Sequence, residues 1–167
     1  MPKFVEWIPT QPEYIDPFFE LAPVSSSDVV YDLGSGDGRL LFAALDKGAG
    51  RCVGIDIDPE RVSFAREAVK SKGLESKITF VKADVMEVAL SEASVILCYL
   101  LSTASAALGP KFEKELKPGT RVVMETFAVP GWKPTKIKET DGRSFYFYTM
   151  PPEKTDVQGD SAQSLLY

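Results

Sequence analysis

The chain has 167 residues, two cysteines and a net charge of −5, and it contains no histidine. That length makes one domain able to bury a core without staples, while the missing histidine excludes Ser–His and Cys–His nucleophiles and histidine bases. Two cysteines cannot form a Cys₄ zinc centre, so no metal is expected.

In chain order, Tyr14–Ala22 places Ile15, Phe18, Phe19 and Ala22 on one helical face. Asp16 is its expected cap with Pro17 at the first helical position, unless Pro17 kinks a helix begun at Pro12. Val29–Leu33 is an apolar strand running into a glycine loop. A helix follows over Arg39–Lys47, stopped by Gly48. Cys52–Ile57 is the second strand. Asp58-Pro59 supplies an N-cap and a first-turn proline for a helix to about Lys72, with Val62, Ala65 and Val69 as its buried stripe. Ile78–Val81 and Val95–Tyr99 are the third and fourth strands, and the latter is continuously apolar, as in a strand buried on both faces. Gly109-Pro110 is expected to break the next segment into a turn and a short helix to Leu116. Arg121–Phe127 is the fifth strand. Thr135–Thr140 and Ser144–Met150, joined by Asp141-Gly142, read as a β-hairpin.

This alternation predicts an α/β fold: a doubly wound, mostly parallel, Rossmann-like sheet with an antiparallel C-terminal hairpin at one edge. Residues 1–152 form a single domain, within which 1–28 precede the first strand. Residues 153–167 are a polar tail expected to be poorly ordered. Cys52 and Cys98 lie in apolar runs and read as reduced packing residues. The N-terminus lacks a signal-peptide pattern and no apolar run reaches the ~20 residues of a membrane span, so a cytoplasmic, membrane-free monomer is expected. Charge is uneven: residues 1–37 hold seven acids and one base, a balance of −6, and the other 130 residues sum to +1. Stable nucleic-acid binding is not expected from such a distribution.

The sharpest motif is Asp32-Leu33-Gly34-Ser35-Gly36-Asp37-Gly38-Arg39, between a strand and a helix. A dinucleotide loop would need glycine at position 39, which is Arg, and Asp32 and Asp37 would repel a pyrophosphate. They suit a cationic ligand without phosphate, such as S-adenosylmethionine. Asp32 can accept from its ammonium, Asp56 at the end of the second strand can take the ribose hydroxyls, and Asp84 after the third can accept from the adenine amine. The plainer alternative makes Asp32 and Asp56 turn formers and Asp84 an N-cap; three acids after three successive strands, at the edge where open α/β sheets bind ligands, favour the ligand reading.

The segments VVYDLGSGDGR (29–39), VGIDIDPERV (53–62), VKADVME (81–87) and LKPGTRVV (116–123) resemble the class I, seven-β-strand S-adenosylmethionine-dependent methyltransferases. Trp7–Thr10, Cys98–Ser102 and FAVPGWKP (127–134) extend the resemblance to the small archaeal broad-specificity protein lysine methyltransferases and their mitochondrial relatives. The resemblance implies a seven-stranded sheet and conversion of S-adenosylmethionine to S-adenosylhomocysteine. Its cofactor site would comprise Asp32, Gly34, Ser35, Gly36, Asp56, Ile57, Asp84, Val85, Tyr99 and Thr10. Residues 1–28 would cover cofactor and substrate, and Trp7, Leu100 and Leu101 would line a lysine channel. Ser102 stands where some relatives carry proline.

Methylation of an amine needs a neutral nitrogen held in line with the methyl, so positioning is the main lever. A desolvated lysine near a sulfonium loses its proton readily, which makes the absence of histidine compatible with the reaction. Tyr99 is the candidate for orienting that nitrogen; otherwise it only ends a buried strand. Lysine-bearing, basic proteins are the expected partners of the acidic N-terminal end. Two alternatives stand beside this: a small-molecule or nucleic-acid methyltransferase on the same cofactor fold, and a noncatalytic cofactor-binding protein. The Asn/Asp-Pro-Pro-Tyr/Phe turn usual in base N-methyltransferases is replaced here by Cys98-Tyr99-Leu100-Leu101.

Overall fold

The computed structural model of the chain describes residues 12–155. A 3₁₀ turn, Pro12–Tyr14, leads into α1 (Ile15–Leu21). Then come β1 (Val29–Leu33), α2 (Arg39–Asp46), β2 (Arg51–Asp56), α3 (Pro59–Ser71), β3 (Ile78–Lys82) and β4 (Val95–Cys98). The chain continues through α4 (Ser102–Glu115), β5 (Arg121–Glu125), β6 (Trp132–Lys133), β7 (Lys136–Thr140), β8 (Arg143–Thr149) and β9 (Glu153–Lys154). Seven strands form one sheet in the order β3-β2-β1-β4-β5-β8-β7, with β1 to β5 parallel and β8 and β7 antiparallel. The expected α/β architecture and its terminal hairpin are therefore present. Asp141 and Gly142 both take positive φ, 48° and 78°, the turn geometry that matches strand twist in a two-residue hairpin.

Strand alternation sorts side chains onto two faces. On one, Val30, Cys52, Leu97, Val123 and Phe145 pack against Phe18 and Phe19 of α1, Leu41 of α2 and Val62, Ala65 and Val69 of α3. On the other, Leu33, Ile55, Ile96, Met124 and Tyr148 pack against Leu108 and Phe112 of α4 and Trp132 of β6. The cap of α3 is as the sequence implies: Asp58 accepts from the Glu60 and Arg61 amides at 2.8 and 3.3 Å.

Three expectations change. Gly109-Pro110 does not break the chain; α4 runs through both. Gly109 is buried where an added Cβ would come within 2.9 Å of Val129 Cγ1, so the glycine serves close packing. Pro110 lies on the exposed side, where the Ala106 carbonyl it leaves unbonded can face solvent. Asp16 is not the cap of α1: Tyr14 holds that position and Pro17 falls within the first turn, whose amides lack intrahelical partners in any case. Asp16 instead faces Lys47 at 3.3 Å. At the other end, Glu153–Lys154 pairs with Trp132–Lys133, so the expected tail does not start at 153. Residues 156–167 lie outside the described residues, as do Trp7 and Thr10.

Replacing Pro110 by Ala restores one helix hydrogen bond at an exposed site. The interior penalty of proline, about 3 kcal/mol, is partly offset by the looser unfolded chain, up to ~1 kcal/mol. Pro110→Ala should therefore raise stability by about 2–3 kcal/mol and the thermal midpoint by several degrees. A midpoint that stays put or falls in calorimetry would mean that α4 depends on the proline.

Candidate active site

The carboxyl ends of β1 to β5 converge on a cluster of acids. Asp32 sits on β1 and is 3% exposed; Asp56 ends β2 and is 4% exposed; Glu125 ends β5 and is 1% exposed. Asp84 follows β3 and is exposed. Tyr99 follows β4, between the β1 acid and the β5 acid, at the point where strand order reverses.

Gly34 and Gly36 take φ values of +86° and +57°, which let the loop turn sharply out of β1. The Gly34 and Ser35 amides donate to the Ile55 carbonyl at 2.8 and 3.0 Å, tying the loop to β2. A Cβ on Gly34 would meet Leu100 Cδ2 at 2.8 Å and lie 3.6 Å from the Tyr99 carbonyl. The missing side chain thus lets the segment after β4 close onto the loop, bringing Tyr99 and Leu100 to it. Leu101, 61% exposed, forms the outer rim. Ser35 Oγ is buried without a hydrogen-bond partner among the described residues.

The acids differ in how they are neutralised. Asp56 accepts from the Gly36 and Asp58 amides, each at 2.9 Å, and from Arg61 Nη2 at 3.0 Å. It therefore joins loop and α3, and ribose hydroxyls would have to share its oxygens with Arg61. Asp84 accepts from the Met86 amide at 2.9 Å in a local turn; no helix starts there, so it is not the N-cap of the plainer alternative. Ile57, 60% exposed, presents a bare apolar side chain beside Asp56, and Val85 is half-buried beside Asp84. Asp32 has no hydrogen-bond or ion-pair partner among the described residues. Burial first, then the charges of Asp56, Glu125 and Asp37, push its pKa up to about 8. Burial likewise pushes the Cys52 thiol up to about 12 and the Cys98 thiol upward, consistent with packing rather than reactivity.

These features fit S-adenosylmethionine. An unpaired, buried acid calls for a cation, the orphaned Ser35 hydroxyl calls for a polar partner, and the loop offers backbone at close range. Sequence reasoning missed Arg61, and it missed Glu125 with its partner Arg143, whose Nη1 donates to Glu125 Oε1 at 2.6 Å. The available signal was a charged residue closing an otherwise apolar strand, as Asp56 closes β2.

The sign of the Asp32 shift yields a test. Its folded pKa lies above the unfolded value of ~3.9, so the neutral form favours folding. That contribution is complete below about pH 4 and is lost as pH rises through about 8. Asp32→Asn should gain stability over the wild type across this window, on the order of 1 kcal/mol per pH unit, and level off above it. Calorimetry at pH 6.5 in buffers of different ionisation heat should show S-adenosylmethionine binding releasing a proton from the wild type but not from the variant. Binding heats independent of buffer would refute a neutral Asp32 as the ammonium acceptor.

The profile of the ANTKMT methyltransferase domain family matches residues 32–136. A protein-lysine N-methyltransferase of Saccharolobus islandicus (strain REY15A) is 40% identical over 155 residues, spanning 90% of this chain and 96% of that relative. The adenine nucleotide translocase lysine N-methyltransferase of Mus musculus is 31% identical over 106 residues, which are 64% of this chain and 46% of that longer protein. Among solved structures, an RNA methyltransferase from Salinibacter ruber in complex with S-adenosyl-L-homocysteine superposes with a TM-score of 0.83 at 37% identity, covering 92% of this chain and 99% of that one. With its seven-stranded sheet and its acid-rich glycine-loop site, the chain belongs to the ANTKMT methyltransferase domain family of S-adenosylmethionine-dependent methyltransferases.

Proposed function

We propose that this protein is a protein-lysine N-methyltransferase of broad specificity. The observation that carries the reading is the 40% identity to the Saccharolobus islandicus lysine methyltransferase, which runs through almost the full length of both chains. Asp32, the glycine loop Gly34–Gly36, Asp56 and Asp84 hold S-adenosylmethionine, with Ile57 and Val85 against its base. When bound, it supplies a methyl group already activated on a sulfonium.

The protein's own task is to present a neutral amine, and the site is built for that. Tyr99 and Leu100 are half-buried, so an amine brought there loses much of its hydration, and loss of hydration lowers an amine's pKa. The Tyr99 hydroxyl can accept from or donate to the nitrogen and fix its direction.

Three acids of the N-terminal end are already engaged: Asp28 is buried and bound to Arg121 at 3.2 Å, Asp37 pairs with Arg39 at 2.7 Å, and Glu20 pairs with Lys138. Acids that stay exposed, Glu13 among them, remain available to a basic protein partner.

A second reading, methylation of RNA, is favoured by the likeness to the Salinibacter ruber structure. One assay separates them: labelled S-adenosylmethionine is incubated with separate pools of protein, RNA and small metabolites. Label should enter protein and be recovered as methyl-lysine after hydrolysis; label confined to RNA would establish the second reading. On a substrate found in this way, Tyr99→Phe should lower kcat roughly tenfold, the worth of one positioned hydrogen bond, at unchanged cofactor affinity. Undiminished kcat would leave the tyrosine hydroxyl without a part in turnover.

A further inference from the structure

Glu125 holds a carboxylate half of which is committed and half of which is bare. Oε1 accepts from Arg143 at 2.6 Å, while Oε2 is buried with no hydrogen-bond partner among the described residues. Arg143 is itself fixed: its guanidinium lies 4.0 Å from the centroid of the Tyr14 ring and 5.6 Å from that of Tyr99. The carboxylate is thereby oriented through one oxygen and left without a described partner at the other.

The sheet register places this oxygen at the site. Met124 pairs with Cys98, so Glu125 stands beside Tyr99, on the side away from Asp32. Alternation puts Asp32, two residues beyond Val30, and Glu125, two beyond Val123, on the same face. Glu125 also contributes to the field that holds Asp32 neutral. Directly after it Thr126, a β-branched residue at φ +71°, turns the chain sharply, and the Phe127 amide donates to the Glu125 carbonyl at 2.8 Å. Thr126 and Leu101 are exposed, so the bare oxygen is one residue from the surface.

We propose that Glu125 is the substrate-side acceptor of the active site, its Oε2 receiving an N–H of the incoming lysine Nζ. The proposal rests on the lysine reading above. It divides the cleft at Tyr99, with acids of β1 to β3 for the cofactor and the β5 acid for the amine. A carboxylate fixed in this way selects a donor-rich, cationic or amine group over a second carboxylate, whose lone pairs it would face.

Glu125→Gln is the discriminating variant. Arg143 can only donate, so the amide oxygen must face it, and the amide NH₂ then occupies the bare position: an acceptor becomes a donor. The substrate is a lysine peptide from a protein the wild type methylates in the pooled assay, with a norleucine version as control. On protein loaded with S-adenosylhomocysteine, the variant should bind the lysine peptide roughly tenfold to a hundredfold more weakly, and kcat/KM should fall in parallel. Its S-adenosylhomocysteine affinity should stay within about twofold and its binding of the norleucine peptide should not change. If the lysine peptide binds variant and wild type alike, the proposal is wrong. It is equally wrong if both peptides and S-adenosylhomocysteine weaken together with a lowered thermal midpoint, since that is a structural ion pair. Should the glutamine variant not fold, Glu125→Asp, which keeps the charge and withdraws it by one methylene, is read by the same criteria. A wild type that labels no protein lysine sinks the substrate reading first and this proposal with it, whereas lysine labelling with an indifferent variant sinks the proposal alone.

Discussion

Negative charge gathered at the carboxyl edge of a parallel sheet is the constraint around which this molecule is arranged. Backbone geometry brings the ends of β1, β2 and β5 together, and each contributes a buried acid. Like charges in a low-dielectric cleft cannot all be ionised at once without counter-charges. The chain supplies two: Arg61 to Asp56 and Arg143 to Glu125. It supplies none to Asp32 among the described residues. A buried acid left without a counter-charge is costly when ionised, and a cationic ligand would relieve that cost.

The same accounting explains which parts of the fold were legible in the sequence. β1, the Asp58 cap of α3 and the Asp141-Gly142 hairpin follow local rules of periodicity, capping and turn chemistry, and they stand where those rules put them. Gly109-Pro110 obeyed a local rule that tertiary packing overrode. The glycine answers to Val129, twenty residues away, and the proline sits on the side where a lost hydrogen bond is replaced by solvent. Asp16 was misplaced because a proline fits anywhere in a first turn, not only at its first position. Glu125 and Arg143 escaped notice for a different reason. Each lies at the end of a strand, 18 residues apart, and only the antiparallel register of β5 with β8 makes them neighbours. No window of sequence contains that pairing.

The −6 balance of residues 1–37 is only in part a surface property, because the fold gives several of those acids partners beyond that segment. Asp28 goes to Arg121, Asp16 to Lys47 and Glu20 to Lys138, and Asp32 goes into the interior. Segmental charge counts describe a surface only when the segment is the surface. Asp28 shows the contrast with Asp32: hydrogen bonds from Ser94 and Ser25 and the nearby Arg121 hold its carboxyl below the usual range even though partial burial opposes this. Two acids four residues apart are thus driven in opposite directions by their neighbours.

The division of the edge also bears on why proteins with this fold bear such different names. The relatives and solved structures include lysine and RNA methyltransferases that share the sheet, and the glycine loop with its β1 to β3 acids can serve S-adenosylmethionine irrespective of the acceptor. On the division proposed above, discrimination among acceptors falls to the other half of the edge, where β4 and β5 end and β8 begins. In this chain that half consists of a tyrosine, a buried carboxylate with one free oxygen, and an arginine clamped between aromatic rings. An arginine held near two rings and by a carboxylate is not readily available to a phosphate backbone. On the lysine reading proposed above, the free oxygen of that carboxylate would meet a nitrogen that carries its own hydrogens, which is what the side chain of lysine offers.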